Sequence, residues 1–166
     1  GGSDFLDLTN RALEGIIDLE VIDKIHIVIG ATYGHQKKLN SLFKRKNNVF
    51  IHKNISENRM IDIMNECQLA IVPSSTISYE ACSVKMLVLG GYYIDNQKKI
   101  NNGLDSNGMI YNVGDFNKLK PIDFKLKVLE IINDSNAKHN KIIKNQAKMF
   151  DGKQKERFNI LIENIC

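Results

Sequence analysis

The sequence predicts an α/β fold, a parallel sheet flanked by helices. Three observations carry that prediction. Short, nearly continuous apolar runs recur before Asp115, amphipathic segments lie between them, and beyond Asp115 the pattern turns wholly helical. Strands buried on both faces of a parallel sheet lack the in–out alternation of a half-exposed strand. Strand–helix–strand alternation gives a doubly wound, Rossmann-like layer structure.

Taken in order, the first helix carries Leu13, Ile16, Ile17 and Val21 on one face, with Asp, Thr and Asn near positions 7–10 as caps. The five strand-like runs are Ile25–Ile29, Val49–Ile51, Leu69–Val72, Met86–Leu89 and, more weakly, Met109–Val113. Met60, Ile61, Met64 and Cys67 give the helix before the third run its apolar face. Three helical segments close the chain. The first has Phe124, Val128, Leu129, Ile131 and Ile132, with Pro121 near its start, where a missing N–H costs least. The second has Ile142, Ile143, Ala147 and Phe150, the third Phe158, Leu161 and Ile162, and Asp151-Gly152 turns between them. Residues 137–166 thus form a terminal helical segment. Gly1-Gly2-Ser3-Asp4 leads almost directly into a helix with no strand before it, so the chain is either a fragment cut at a strand end or begins with a cloning scar.

Composition excludes several classes. The 166 residues are 43% hydrophobic and 25% charged, which is ordinary for a globular chain and rules out collagen-like, mucin-like and disordered readings. Runs such as Met86–Leu89 fall far short of the roughly 20 residues that cross a bilayer, and no secretory signal opens the chain, so no membrane span is expected. Cys67, Cys82 and Cys166 are odd in number and lack metal-ligand spacing, which suits reduced thiols in the cytoplasm. The net charge of +4 is mild and the lysines are dispersed. With 7% aromatics and no Trp, no nucleic-acid partner is expected.

Chemistry concentrates where strands end. In open parallel sheets ligands bind outside the carboxyl ends of strands, and a helix N-terminus there offers free N–H groups and roughly half a positive charge. Val72-Pro73 is followed by Ser74, Ser75 and Thr76, whose hydroxyls and amides make a cradle for a diphosphate. Glu80, four residues after Thr76 on the same helix face, suits a ribose diol. The plain reading, an N-cap on a packing helix, stands beside the ligand reading. After the next strand, Asn96 and Gln97 offer amide donors and acceptors to a sugar, or simply cap a surface helix. Gly2, Ser3 and Asp4 form an opening loop that phosphate can approach closely, and Gly30 begins a further strand-to-helix turn. The histidines match no metal spacing, and no nucleophile elbow, Walker lysine or dinucleotide glycine motif is present.

Taken together, these segments resemble the C-terminal half of a GT-B-fold protein, and more narrowly the pseudaminic-acid-pathway UDP-sugar hydrolase family. The match runs in order through Gly1-Gly2-Ser3-Asp4 with Leu8-Thr9, Ile29-Gly30, Met60 and Met64 with Leu69-Ala70-Ile71, Ser75-Thr76-x-x-Tyr79-Glu80, Asp95-Asn96-Gln97, and Phe150-Asp151-Gly152-Lys153 with Arg157. The continuation past Ser3 favours a native opening loop. Two positions depart: Ser74-Ser75 stands where a glycine is common, and Gln154 replaces the second glycine of the terminal motif.

The resemblance implies that residues 1–166 are a nucleotide-sugar-binding domain whose N-terminal partner domain is absent. It implies a UDP or UDP-sugar ligand and no cofactor. Uracil would lie near Ile55–Met60, the ribose on Glu80, the diphosphate on Ser75, Thr76, the helix N–H groups and the Gly1–Ser3 loop, and the sugar on Asn96 and Gln97. The Asp151 turn would bring the terminal helix towards the cleft. The implied activity is release of UDP from a diacetamido-trideoxy sugar in nonulosonic acid biosynthesis. Its catalytic histidine belongs to the absent half, so none of the histidines here takes that role. A glycosyltransferase or sugar-nucleotide epimerase of the same fold, and a non-catalytic α/β module, are the alternatives.

Overall fold

A computed structural model describes residues 4–43 and 46–163. Gly1, Gly2, Ser3 and Cys166, named above, lie outside the described residues. The chain is α/β with parallel strands flanked by helices, in the order α1 (Leu8–Ile16), β1 (Ile25–Ile29), α2 (Gln36–Phe43), β2 (Val49–Lys53), α3 (Glu57–Glu66), β3 (Leu69–Pro73), α4 (Thr76–Ser83), β4 (Leu87–Tyr92), α5 (Asp95–Ser106), β5 (Tyr111–Asp115), a 3-10 turn (Phe116–Lys118), α6 (Pro121–Ile132), α7 (Asn136–Met149) and α8 (Gln154–Glu163).

The strands form two ladders rather than one sheet. β1 pairs with β2, and β4 lies between β3 and β5, every pair parallel. One core nevertheless spans both ladders: Ile25, Ile27 and Ile29 share it with Leu89, Tyr111 and the α6 residues Phe124, Val128 and Ile131. A second cluster on the other side of the larger sheet joins Val88 and Ile110 to Met64, Ala81, Cys82 and Leu104. Helices therefore cover both faces of β3–β4–β5, which is why its runs read as continuous.

Several boundaries move for identifiable reasons. β4 runs on through Gly90 and Gly91 instead of stopping at Leu89. A Cβ on Gly91 would lie 2.7 Å from the Gly114 carbonyl oxygen and 3.0 Å from the Phe116 ring, so the strand passes where only a bare backbone fits. α1 ends before Val21, which is exposed. A Cβ on Gly15 would collide with the Pro121 carbonyl, and this close approach seats α1 on α6. In α3, Ile63 and Met64 are buried while Ile61 faces outward. Pro121 does open α6, and the Lys120 N–H before it donates to the Asp123 carboxylate at 2.7 Å.

In α7, Gln146 takes the buried place expected of Ala147. Its Nε2 donates to the carbonyls of Met86 and Met109, each at 2.9 Å, tying the starts of β4 and β5 to the helix. α8 forms as a helix, but Phe158, Leu161 and Ile162 are all exposed rather than packed. Among the described residues no helix is long and apolar enough to cross a membrane.

Candidate functional site

The larger sheet places two of the sequence-marked segments side by side. β3 and β4 are register neighbours through Pro73 and Gly91, and the Ser74 N–H donates to the Gly91 carbonyl at 2.7 Å. Ser75 before α4, Thr76 and Glu80 on α4 and Asn96 on α5 therefore rise from adjacent carboxyl ends. Ser75 is half-buried, and Thr76, Glu80 and Asn96 are exposed. Ser75 precedes α4 with extended backbone, and its side chain makes no capping bond. Among the described residues its hydroxyl bonds only the Pro73 carbonyl, at 3.5 Å. The start of α4 thus leaves its first amides without a side-chain cap.

Ser74 and Gln97 face the other way. Ser74 is fully buried, and its hydroxyl donates to Asn101 Oδ1 at 2.8 Å. Asn101 Nδ2 passes the chain to Asn112 Oδ1 at 2.8 Å, which also accepts from the Gly114 N–H, and Asn112 Nδ2 donates to Asp105. This relay fixes the β3–α4 corner against α5 and β5. Gln97 is buried, and its Oε1 accepts from the Tyr93 N–H at 3.1 Å, closing the turn that leads into α5. Both residues therefore hold the edge in shape from within. Residue type alone does not mark Asn101 and Asn112 for this role. The available signal was the spacing of Gln97, Asn101 and Leu104 along one face of α5, all of them buried.

Beside Asn96 lies a shallow cleft of about 100 Å³ lined by Tyr92, Tyr93, Ile94, Asp95, Lys98, Asp115 and Asn117. The Lys98 ammonium sits 5.3 Å over the Tyr92 ring and 2.8 Å from Asp95, and that hydrogen bond raises its pKa. The Asn117 backbone N–H holds the Asp115 carboxyl below its ordinary value. The lining thus carries one cation between two anions.

The other marked residues reach this region through α1 or not at all. Gly30 directly follows β1, and Ile55 and Met60, both half-buried, follow β2. The first half of α1 touches both carboxyl edges. Arg11 donates to the carbonyls of Phe116 and Leu119, just past β5, while Asp7 contacts Lys38 at 2.8 Å and Asn10 reaches the His35 carbonyl, just past β1. Asp4 does not leave the α1 amides open. Its carboxylate accepts from Leu8 N–H at 2.9 Å and Thr9 N–H at 2.7 Å. Asp151 turns onto its own loop, accepting two 2.9 Å bonds from Arg157 and one from the Lys153 N–H, and the Arg157 bond holds its carboxyl well below the carboxylate range. Phe150 beside it packs on Tyr79, and its carbonyl takes Lys85 from past the far end of α4.

Among the described residues no group of three or more His, Cys, Asp or Glu side chains could hold a metal ion. No protein-family model and no curated protein matches this chain.

Proposed function

We propose that this chain binds a nucleoside diphosphate sugar, as the UDP-sugar-binding half of a hydrolase that releases UDP. One observation supports this above the rest: at the junction of two adjacent strand ends, α4 begins without a side-chain cap, with Thr76 and Glu80 exposed on one face and Asn96 beside them. Uncapped amides and hydroxyls suit a diphosphate, the carboxylate a turn deeper suits a ribose diol, and the neutral amide suits a sugar hydroxyl. Stabilising the departing diphosphate is what such an edge contributes to cleavage of the anomeric bond. The attacking water and its base come from a companion N-terminal domain of the parent chain. A transferase or epimerase would use the same edge with a different acceptor.

A second reading has its own support. Ser74, Gln97 and Asp4 each satisfy their neighbours' polar groups, as the capped corners of a non-catalytic module would. Calorimetric titration of the chain with UDP, ADP and GDP separates the two. The hydrolase-half reading expects measurable heat with UDP, weaker heat with the purine nucleotides, and loss of about 1–3 kcal/mol of binding in Glu80→Ala. Equal heats, or none, favour the module.

A further inference from the structure

The smaller ladder carries a feature that the nucleotide reading does not use. Ile25, Ile27 and Ile29 of β1 and Val49 of β2 turn inward, so the opposite face carries His26, Val28, Phe50 and His52. Val28 and Phe50 remain exposed there, but the His26 side chain is only 8% exposed. His26 Nδ1 and His52 Nε2 lie 3.0 Å apart, with the two ring planes nearly parallel at 3° and the centroids 5.2 Å apart. The Phe50 ring also stacks with His26, with centroids 5.3 Å apart. α3 faces the pair with Glu66, whose Oε2 is 3.9 Å from His26 Nε2, and with Arg59, which is 3.8 Å from the same Glu66 carboxylate.

Two ring nitrogens at that separation have room for one proton between them. While one nitrogen donates and the other accepts, the bond holds. When both carry protons, two N–H groups point at each other and the bond is lost. We propose that the His26–His52 pair is an acid-sensitive latch on the outer face of the β1–β2 ladder, closed while one of the two facing nitrogens is bare and opened when both rings have become cations. His52 is the ring that leaves, because it sits one residue from the end of β2, next to the turn at Asn54. His26 stays beside Glu66. The opening therefore loosens the connection from β2 into α3.

The surrounding charges decide the direction. Burial holds His26 below its ordinary pKa, the His52 ring and the cations Lys24 and Arg59 push the same way, and only Glu66 opposes them. The unfolded chain therefore takes up this proton first. Stability is intact above about pH 6.5 and falls as the pH drops from there towards the folded-state value.

Imidazole nitrogens followed by NMR from about pH 8 to about pH 5, in the full chain and in His52→Gln, test the latch. The glutamine amide oxygen accepts from His26 at every pH. The native chain is expected to show coupled titration of the two rings, with amide exchange at His52 and Asn54 rising about tenfold or more across the same step. His52→Gln is expected to show no such step. Independent titration of the rings with unchanged exchange overturns the latch, as does the same acid step in the variant. If the variant fails to fold, the ring titration of the native chain decides alone.

Discussion

Of the helices that begin near the carboxyl edges of these sheets, α1 and α4 finish their first turns in opposite ways. At α1, Asp4 reaches forward from outside the helix and takes the Leu8 and Thr9 amides on its two carboxylate oxygens. At α4, Ser75 stands in the capping place, and its side chain bonds no helix amide. One start is closed by a built-in anion and surrounded by further carboxylate at Asp7. The other is open and lined by hydroxyls. A diphosphate meets repulsion at the first and N–H donors at the second. A row of small polar residues before a helix therefore says nothing about vacancy until the bonds are traced, and in this chain the acidic start is the occupied one.

The α4 start is open because it is held from below rather than capped from above. Asn101→Leu should therefore produce the largest effect. It strands the Ser74 hydroxyl and removes the donor to Asn112 inside the β3–α4–α5 corner. Each buried polar group left unpaired costs about 1–3 kcal/mol, read as a lower urea midpoint at unchanged slope. Hydrogen exchange should quicken in the first turn of α4 while α1 keeps its protection. Equal loosening of both helices would mean that the two starts are not independent, and the contrast between them would fail.

Asp4→Ala should cost less, about 0.5–2 kcal/mol, the usual value of a lost N-terminal cap. Thermal denaturation measures it. The complementary outcome concerns anions. With the carboxylate gone, the Leu8 and Thr9 amides are available, so inorganic pyrophosphate should perturb their NMR signals in the variant and leave them unmoved in the native chain. Perturbation in both would show that Asp4 is not what closes this helix to anions.

The layout of the fold was readable because burial on both faces leaves an unmistakable apolar run: β1 and β3 sit where their residues announce them, and the Pro121 helix starts where a missing N–H is tolerated. The division into two ladders was not readable, since strand runs carry no mark of which neighbour they pair with. Gly90 and Gly91 fall outside the apolar run Met86–Leu89 because glycine adds nothing to an apolar pattern, yet the strand continues through them, and Gly91 passes Gly114 and Phe116 where a Cβ does not fit. Gln146 escaped because an amphipathic pattern counts amides as outward-facing, and only the two carbonyls it serves explain its burial. At the site, Ser75, Thr76, Glu80 and Asn96 were found as residue types suited to a ligand, and the structure gathers them at adjacent strand ends. Ser74 and Gln97 have the same chemistry but point inward, and residue type does not specify direction.

The smallest change in stability should come from Ser75, and it tests the contrast most sharply. Ser75→Ala removes a hydroxyl that bonds only its own Pro73 carbonyl at 3.5 Å, so stability should move by no more than about 0.5 kcal/mol. Ser75→Asp instead gives α4 the arrangement that α1 already has, a carboxylate on its first amides. A new cap of this kind should stabilise the chain by about 0.5–1 kcal/mol while denying those amides to phosphate. Stability and UDP binding are then expected to move in opposite directions in a single variant, which a change in general folding quality cannot do. If Ser75→Asp melts higher and still takes up UDP with native heat, the diphosphate does not rest on the α4 amides, and the open helix start is a matter of packing alone.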